Sequence, residues 1–138
     1  MTTERTLGLI KPDGLERGKQ GQILDVILKK GFKIVAMKQL RLTKAQAEGF
    51  YAEHSARPFF ASLCEYMTSG PIIALALEKE NAIADWRTLM GATNPEKADP
   101  GTIRKEFAVD LEKNTVHGSD SSQSAHREVP YFFSALER

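Results

Sequence analysis

Apolar and small residues first alternate at Thr6–Lys11, where Leu7 and Leu9 share one side before Pro12-Asp13-Gly14 ends the run; this predicts a short strand. Continued alternation puts Lys11 on the side of Leu7 and Leu9. The period then lengthens. Gln20–Lys30 carries Ile23, Leu24, Ile27 and Leu28 on one broad helical face, with basic residues in its last turn and Gly31 as its stop. A second strand, Lys33–Leu42, alternates imperfectly. Thr43 and Gln46 have the spacing of a capping box, in which each side chain satisfies the other residue's backbone N–H, so a helix is expected through His54. Another begins near Pro58, with Phe60, Leu63, Cys64 and Met67 as its apolar stripe and Phe59 at the stripe's edge, facing solvent or a ligand.

Pro71–Leu77 predicts a strand with Ile73, Leu75 and Leu77 on one face and Ala74 and Ala76 on the other. It leads into an Asn81-capped helix that ends at Gly91 and buries Ile83, Trp86 and Met90. From Gly91 to Asn114 runs a connection long enough to imply a functional or assembly role, with a turn or two of helix in Thr102–Phe107. A short strand at Thr115–His117 meets Gly118-Ser119-Asp120, which caps a final helix with the stripe Ala125, Val129, Phe132, Phe133 and Leu136, loosened at Pro130. This order of elements matches an α+β fold, a ferredoxin-like split βαβ antiparallel sheet with helices packed against it.

Composition narrows the function more than the fold. A chain of 138 residues, 41% apolar, suits one compact domain spanning residues 1–138. Its 19 basic and 18 acidic residues leave a formal charge of +1, so no global field marks a nucleic-acid or membrane-surface binder, and any anion site is local. The one cysteine, Cys64, excludes an intramolecular disulfide, and Met1 to Leu7 lack the blocks of a secretory signal; a reduced, cytoplasmic protein is expected. The longest apolar run, Pro71–Leu77, is far too short to cross a bilayer.

The candidate chemistry centres on Asn114-Thr115-Val116-His117-Gly118-Ser119-Asp120, where a histidine leaves a strand and enters a small polar turn open to a ligand. Imidazole serves as nucleophile, general base or metal ligand according to what its second nitrogen meets, and a lone turn histidine is more often structural. Glu128 shifts the balance. Three residues after Ala125 and one before Val129, it lies beside the inward stripe, where it either accepts a hydrogen bond from one ring nitrogen of His117 or reaches the surface by helix curvature. Arg87, four residues after Ile83, falls on the apolar side of its helix and needs an anion there. Arg104, Lys11 and the neutral donor Thr93 complete a local cationic cup, against the plainer account of basic side chains snorkelling into solvent. Gly18-Lys19-Gln20-Gly21 is no P-loop, because the spacing of that motif is absent. His54, His117 and His126 are not spaced as metal ligands.

His117 within N-x-x-H-G-S-D, Lys11-Pro12-Asp13 near the start, and the Gly91–Arg104 stretch G-A-T-N-P-E-K-A-D-P-G-T-I-R together resemble the nucleoside diphosphate kinase family across essentially the whole chain. The resemblance implies a transfer of the γ-phosphoryl group from a nucleoside triphosphate, mainly ATP, to a nucleoside diphosphate, by a ping-pong mechanism through a phosphohistidine at His117. It implies further that Lys11 contacts the transferred phosphoryl group and the ribose 3′-hydroxyl, that Asn114 contacts that hydroxyl, and that Tyr51 and Glu128 steady the histidine. Arg87, Thr93 and Arg104 then hold the remaining phosphates, and Phe59 stacks on the base. Position 111 is Leu where many relatives carry valine over the other base face. Mg2+ is expected on the nucleotide phosphates, not in a protein cage. A homo-oligomer built from dimers is implied, as a tetramer or a hexamer; the chain stops at Arg138 without the longer tail that braces many hexamers of the family. On this reading Arg104→Ala slows turnover severely and leaves the fold intact. Two rivals lack their marks: a histidine phosphatase uses an R-H-G motif, whereas Val116 precedes His117, and a non-catalytic module of this fold loses His117 or Lys11.

Overall fold

The computed structural model describes residues 3–138, so Met1 and Thr2, the first residues of the segment read as lacking a secretory signal, lie outside the described residues. Four strands, β1 (Thr3–Ile10), β2 (Lys33–Leu40), β3 (Ile72–Glu80) and β4 (Val116–Gly118), form one sheet in the order β2-β3-β1-β4 with every pair antiparallel. Between them run α1 (Pro12–Glu16), α2 (Gln20–Lys29), α3 (Lys44–Phe50), α4 (Phe60–Met67), α5 (Ala82–Met90) and α6 (Ile103–Phe107), and α7 (Ser122–Phe132) closes the chain. Single 3-10 turns occupy Ala52–His54 and Pro95–Lys97. The β1-α2-β2 and β3-α5-β4 units are the two halves of the expected split βαβ arrangement.

The sheet is buried on both faces, which explains why β3 reads as an almost unbroken apolar run. Ile73, Leu75 and Leu77 face the core beneath α2, α5 and α6, with Ile23, Ile27, Trp86 and Ile103. Ile72, Ala74 and Ala76 face the opposite core with Leu7, Leu9, Phe50, Met67, Val129 and Phe132, under α3, α4 and α7. The imperfect alternation of β2 has a local cause: its register against β3 shifts between Ile34 and Ala36, inserting Val35 as a bulge.

Helix starts follow the local chemistry unevenly. The capping box at Thr43 and Gln46 forms as predicted, although α3 ends at Phe50 and His54 lies in the 3-10 turn beyond Tyr51. Asn81 occupies the N-cap of α5 in a left-handed conformation, φ 62°, and its side chain makes no cap bond. Glu4 Oε1 accepts from Ile83 N instead, so a strand residue distant in sequence replaces the local cap. Ser121, not Gly118-Ser119-Asp120, caps α7, by accepting from Ser124 N. Leu28 and Leu136, placed on apolar stripes by period, are exposed, because the sheet covers α2 only along Ile23 and Ile27 and α7 has ended before Leu136. The buried face of α5 is Ala82, Trp86, Leu89 and Met90, with Ile83 only half-buried. No helix of the described residues is long and apolar enough to cross a membrane.

Candidate active site

β4 pairs with β1 so that His117 lies opposite Leu9 and Val116 opposite Ile10. Directly opposed residues of an antiparallel pair point to the same face. His117 therefore projects toward α3 and α7, where the Phe50 ring meets its imidazole edge-on at 5.3 Å between centroids and Tyr51 stands at 6.4 Å. On the other face Val116 is buried in the core beneath α5, and Trp86 Nε1 donates to His117 O at 3.1 Å. Gly118 is required there: a Cβ on it would run into the Trp86 indole and the Met90 methyl.

The Glu128 alternative resolves inward. Glu128 on α7 is buried, and its Oε1 lies 2.9 Å from His117 Nε2 and 3.0 Å from Ser119 Oγ. An ionised carboxylate can only accept, so the shared proton sits on Nε2 and the lone pair on Nδ1. Ser119 is itself fully buried; its Oγ also accepts from Leu7 N at 3.2 Å, which ties the turn to β1.

His117 and Glu128 line a cleft of about 320 Å³ together with Lys11, Tyr51, Phe59, Arg87, Thr93 and Arg104. The structure thus brings together eight of the nine residues singled out in the sequence, and the ninth, Asn114, lies buried beneath Lys11, its Oδ1 accepting from Lys11 Nζ at 2.8 Å. Lys11 sits just past the end of β1, as the N-cap of α1. Burial, and secondarily Arg104, lower its pKa to about 8, against the opposing pull of Asp13 and Glu112. Arg104, likewise lowered by burial and by Arg87 to about 10, donates from Nη1 to Gly91 O at 3.0 Å and from Nη2 to Val116 O at 2.8 Å. Gly91 ends α5 at φ 85° with Thr102 packed where a side chain would stand. That turn delivers the carbonyl that holds Arg104.

Among the described residues neither Lys11 nor Arg104 has a carboxylate at ion-pair distance. Two adjacent buried cations without a counter-ion favour an incoming anion. Tyr51 supplies a further donor: its hydroxyl is buried without a partner among the described residues, and burial together with Glu128 holds the phenol in its protonated form by raising its pKa. Arg87 departs from expectation. It lies on the exposed edge of α5, not its apolar side, and Nη1 pairs with Asp120 Oδ1 at 2.8 Å across the cleft mouth. Phe59 is 47% exposed and tilted against His54 at the rim, and Thr93 is exposed in the turn after Gly91. No three His, Cys, Asp or Glu side chains of the described residues gather as a metal-ligating group.

Phe50, Ser119 and Asp13 escaped the sequence reading as functional positions. Phe50 looks like any core residue of an amphipathic helix, and its contact with His117 exists only after α3 crosses β4. Ser119 and Asp13 stand inside motifs whose polar residues turns ordinarily use, and nothing local reveals their burial.

A family model described as nucleoside diphosphate kinase matches residues 4–138. A protein of Geobacter sp. (strain M21) with that name is 63% identical over 134 residues, spanning 97% of this chain and 98% of its own. One of Oleidesulfovibrio alaskensis is 59% identical, spanning 97% and 96%. Among solved structures, the Aquifex aeolicus nucleoside diphosphate kinase superposes with a TM-score of 0.96 at 45% identity, covering 99% of both chains. The Halobacterium salinarum nucleoside diphosphate kinase, solved in complex with CDP, does so with a TM-score of 0.95 at 41% identity, covering 99% of this chain and 91% of its own. With a family model matching residues 4–138 and relatives and solved structures alike over nearly the whole chain, the chain belongs to the nucleoside diphosphate kinase family and is a phosphotransferase.

Proposed function

We propose that this chain moves the γ-phosphoryl group of a nucleoside triphosphate, mainly ATP, to a nucleoside diphosphate through a phosphohistidine at His117. The observation that carries the reading is the Glu128–His117 hydrogen bond, which fixes the proton on Nε2 and leaves Nδ1 as nucleophile in a cleft that also holds Lys11 and Arg104, neither in an ion pair among the described residues. In the first half-reaction Nδ1 bonds to the γ-phosphorus while the bond from that phosphorus to the β–γ bridging oxygen breaks, and the nucleoside diphosphate leaves with the bridging oxygen. The second half-reaction runs the same path in reverse toward a phosphate oxygen of another diphosphate, so the kinetics are ping-pong. Glu128 stabilises the positive charge that the ring acquires as Nδ1 forms its bond.

Lys11 meets the transferred group, Tyr51 steadies His117 alongside Glu128, and Arg87, Thr93 and Arg104 hold the other phosphates. Phosphoryl transfer asks the protein chiefly for positioning and charge stabilisation, and Lys11 and Arg104 are already held by Asn114 Oδ1 and by Gly91 O and Val116 O. Asn114 orients Lys11 and meets the ribose 3′-hydroxyl. Phe59 offers a flat apolar face and no base-specific donor, which suits any nucleobase. The complex of the Halobacterium relative with CDP supports a nucleotide as the occupant.

The donor set fits magnesium only by way of the nucleotide: Lys11, Arg87 and Arg104 repel a bare cation and attract phosphate oxygens, while Asp120 is engaged by Arg87. Magnesium brought in with the nucleotide would neutralise charge on the phosphates that Lys11, Arg87 and Arg104 hold. The working unit is a homo-oligomer of dimers, tetramer or hexamer, acting in the cytoplasm with residues 1–138 as one domain and needing neither membrane nor nucleic acid.

Intact-mass measurement of the wild type and His117→Ala after magnesium ATP, followed by a GDP chase, tests the proposal. One acid-labile phosphoryl group on the wild type alone, lost with formation of GTP, is the expected result. An unlabelled wild type makes His117 structural and removes the mechanism.

A further inference from the structure

Outside the cleft proper, Asp13 is a buried carboxylate that accepts from two other segments and from the end of its own helix. Tyr66 of α4 donates to Oδ1; Thr115, just before β4, donates to Oδ2 at 2.6 Å; Arg17, just past α1, donates to Oδ2 at 3.2 Å. Arg17 also donates to Phe107 O at the end of α6. Each of these segments carries part of the cleft. Lys11 stands two residues before Asp13, Phe59 and Leu63 belong to the start of α4, and Asn114 and His117 flank Thr115.

The Thr115 end of this network is strained. Thr115 holds φ at 73°, a left-handed value that a β-branched residue adopts only when its surroundings impose it. Two bonds do so here: its hydroxyl donates to Asp13, and its carbonyl accepts from Lys11 N at 2.7 Å. Released from Asp13, the residue relaxes toward ordinary backbone angles, and Asn114 on one side and Val116-His117 on the other move with it. Lys11 is then loosened twice, through its backbone bond to Thr115 and through its side-chain bond to Asn114.

We propose that Asp13 is a positioning residue for phosphoryl transfer: its carboxylate clamps Tyr66, Thr115 and Arg17 together so that Lys11, Asn114 and His117 stand in register around the phosphate. The inference rests on the phosphohistidine reading above and adds to it a residue that never touches the substrate.

Charge gives the clamp a readout that packing alone lacks. Lys11 is buried, and the charged groups about it are Arg104 from α6, which disfavours its cationic form, and Asp13 and Glu112, which favour it. His117, Tyr51 and Glu128 line the same cleft from β4, from the end of α3 and from α7. With the Lys11 pKa near 8 in the free protein, kcat/KM, which needs the ammonium, falls as pH rises through about 8. Removing the Asp13 charge lowers that value further, so the basic limb of the pH–rate profile moves to lower pH.

Asp13→Asn is the informative variant. With its amide nitrogen toward Tyr66, whose hydroxyl can turn to accept, its oxygen still accepts from Thr115 and Arg17; shape and bonds are kept and the charge is lost. The expected result is a phosphoenzyme formed to the wild-type extent, a basic limb of kcat/KM displaced toward acid, and kcat/KM at pH 8 reduced roughly fivefold. Tyr66→Phe and Thr115→Val keep the carboxylate and each remove one bond. Both are expected to fold, to lower kcat about three- to tenfold, and to leave the limb in place. An unmoved limb in Asp13→Asn, with activity falling only in step with the folded fraction, overturns the inference. If that variant does not fold, wild-type kcat in both Tyr66→Phe and Thr115→Val overturns it. An unlabelled wild type overturns the phosphohistidine reading, and this one with it.

Discussion

Glu128 is the residue on which the nucleophile assignment turns, and its replacement can be worked through from the structure. Its Oε1 receives His117 Nε2–H and the Ser119 hydroxyl, in a setting only 7% exposed. On the proposed mechanism the imidazole becomes cationic as Nδ1 bonds to phosphorus, and the hydrogen bond changes from one with a neutral donor to one between opposite charges. Hydrogen bonds to charged groups are worth about 1.5–3 kcal/mol. The part gained in the transition state corresponds to roughly tenfold to a hundredfold in rate, since each 1.4 kcal/mol is a factor of ten. Glu128→Gln keeps an acceptor for Nε2–H but not the charge and is expected near the lower figure. Glu128→Ala removes both, frees the ring to rotate and strands the Ser119 hydroxyl, and is expected near the upper one. The assay is rapid-quench measurement of phosphoenzyme formation in a single turnover with magnesium ATP, which isolates the chemical step from product release. A phosphorylation rate in Glu128→Ala within twofold of wild type, or a slower Glu128→Gln than Glu128→Ala, refutes the reasoning.

Other variants separate catalysis from stability. Tyr51→Phe deletes a buried hydroxyl that has no partner among the described residues, so thermal stability is expected to hold or rise while kcat falls about tenfold; unchanged kcat removes Tyr51 from the support of His117. Gly118→Ala forces a methyl against Trp86 and Met90 and is expected to cost about 1–3 kcal/mol, a drop of roughly 3–10 °C in melting temperature, with loss of activity; a superimposable melting curve contradicts the packing described. Arg104→Ala is expected to do more than slow turnover, because it also leaves Gly91 O and Val116 O without their donor: both melting temperature and rate drop, and an intact melting curve shows that water replaces the guanidinium there.

That last expectation differs from the one the chain suggests before folding, and the difference marks how far local pattern reaches. Alternating apolar residues located β1 and β3, and helical spacing located α2, α4, α5 and α7 to within a few residues, because those periods are set by backbone geometry. The capping box of α3 formed because both partners lie three residues apart. Local chemistry misplaced the cap of α5, which Glu4 supplies from another strand, and put Arg87 on the apolar side of a helix whose buried face runs through Trp86 and Met90.

The sequence by itself determined the alternation of strands and helices, the two-faced burial of β3, the absence of any global electrostatic field, and, through the His117 motif and the Gly91–Arg104 stretch, the family. Tertiary structure alone decided which histidine nitrogen is free, because that depends on α7 folding back to bring Glu128 within 2.9 Å of Nε2. It also decided that Lys11 and Arg104 are buried together with no carboxylate of the described residues at ion-pair distance, and that Asp13 joins α1, α4 and the approach to β4. Periodicity is a property of neighbours along the backbone. Burial and partnership belong to segments that meet only when the sheet assembles, and a charged group's chemistry follows from its partners and its access to water.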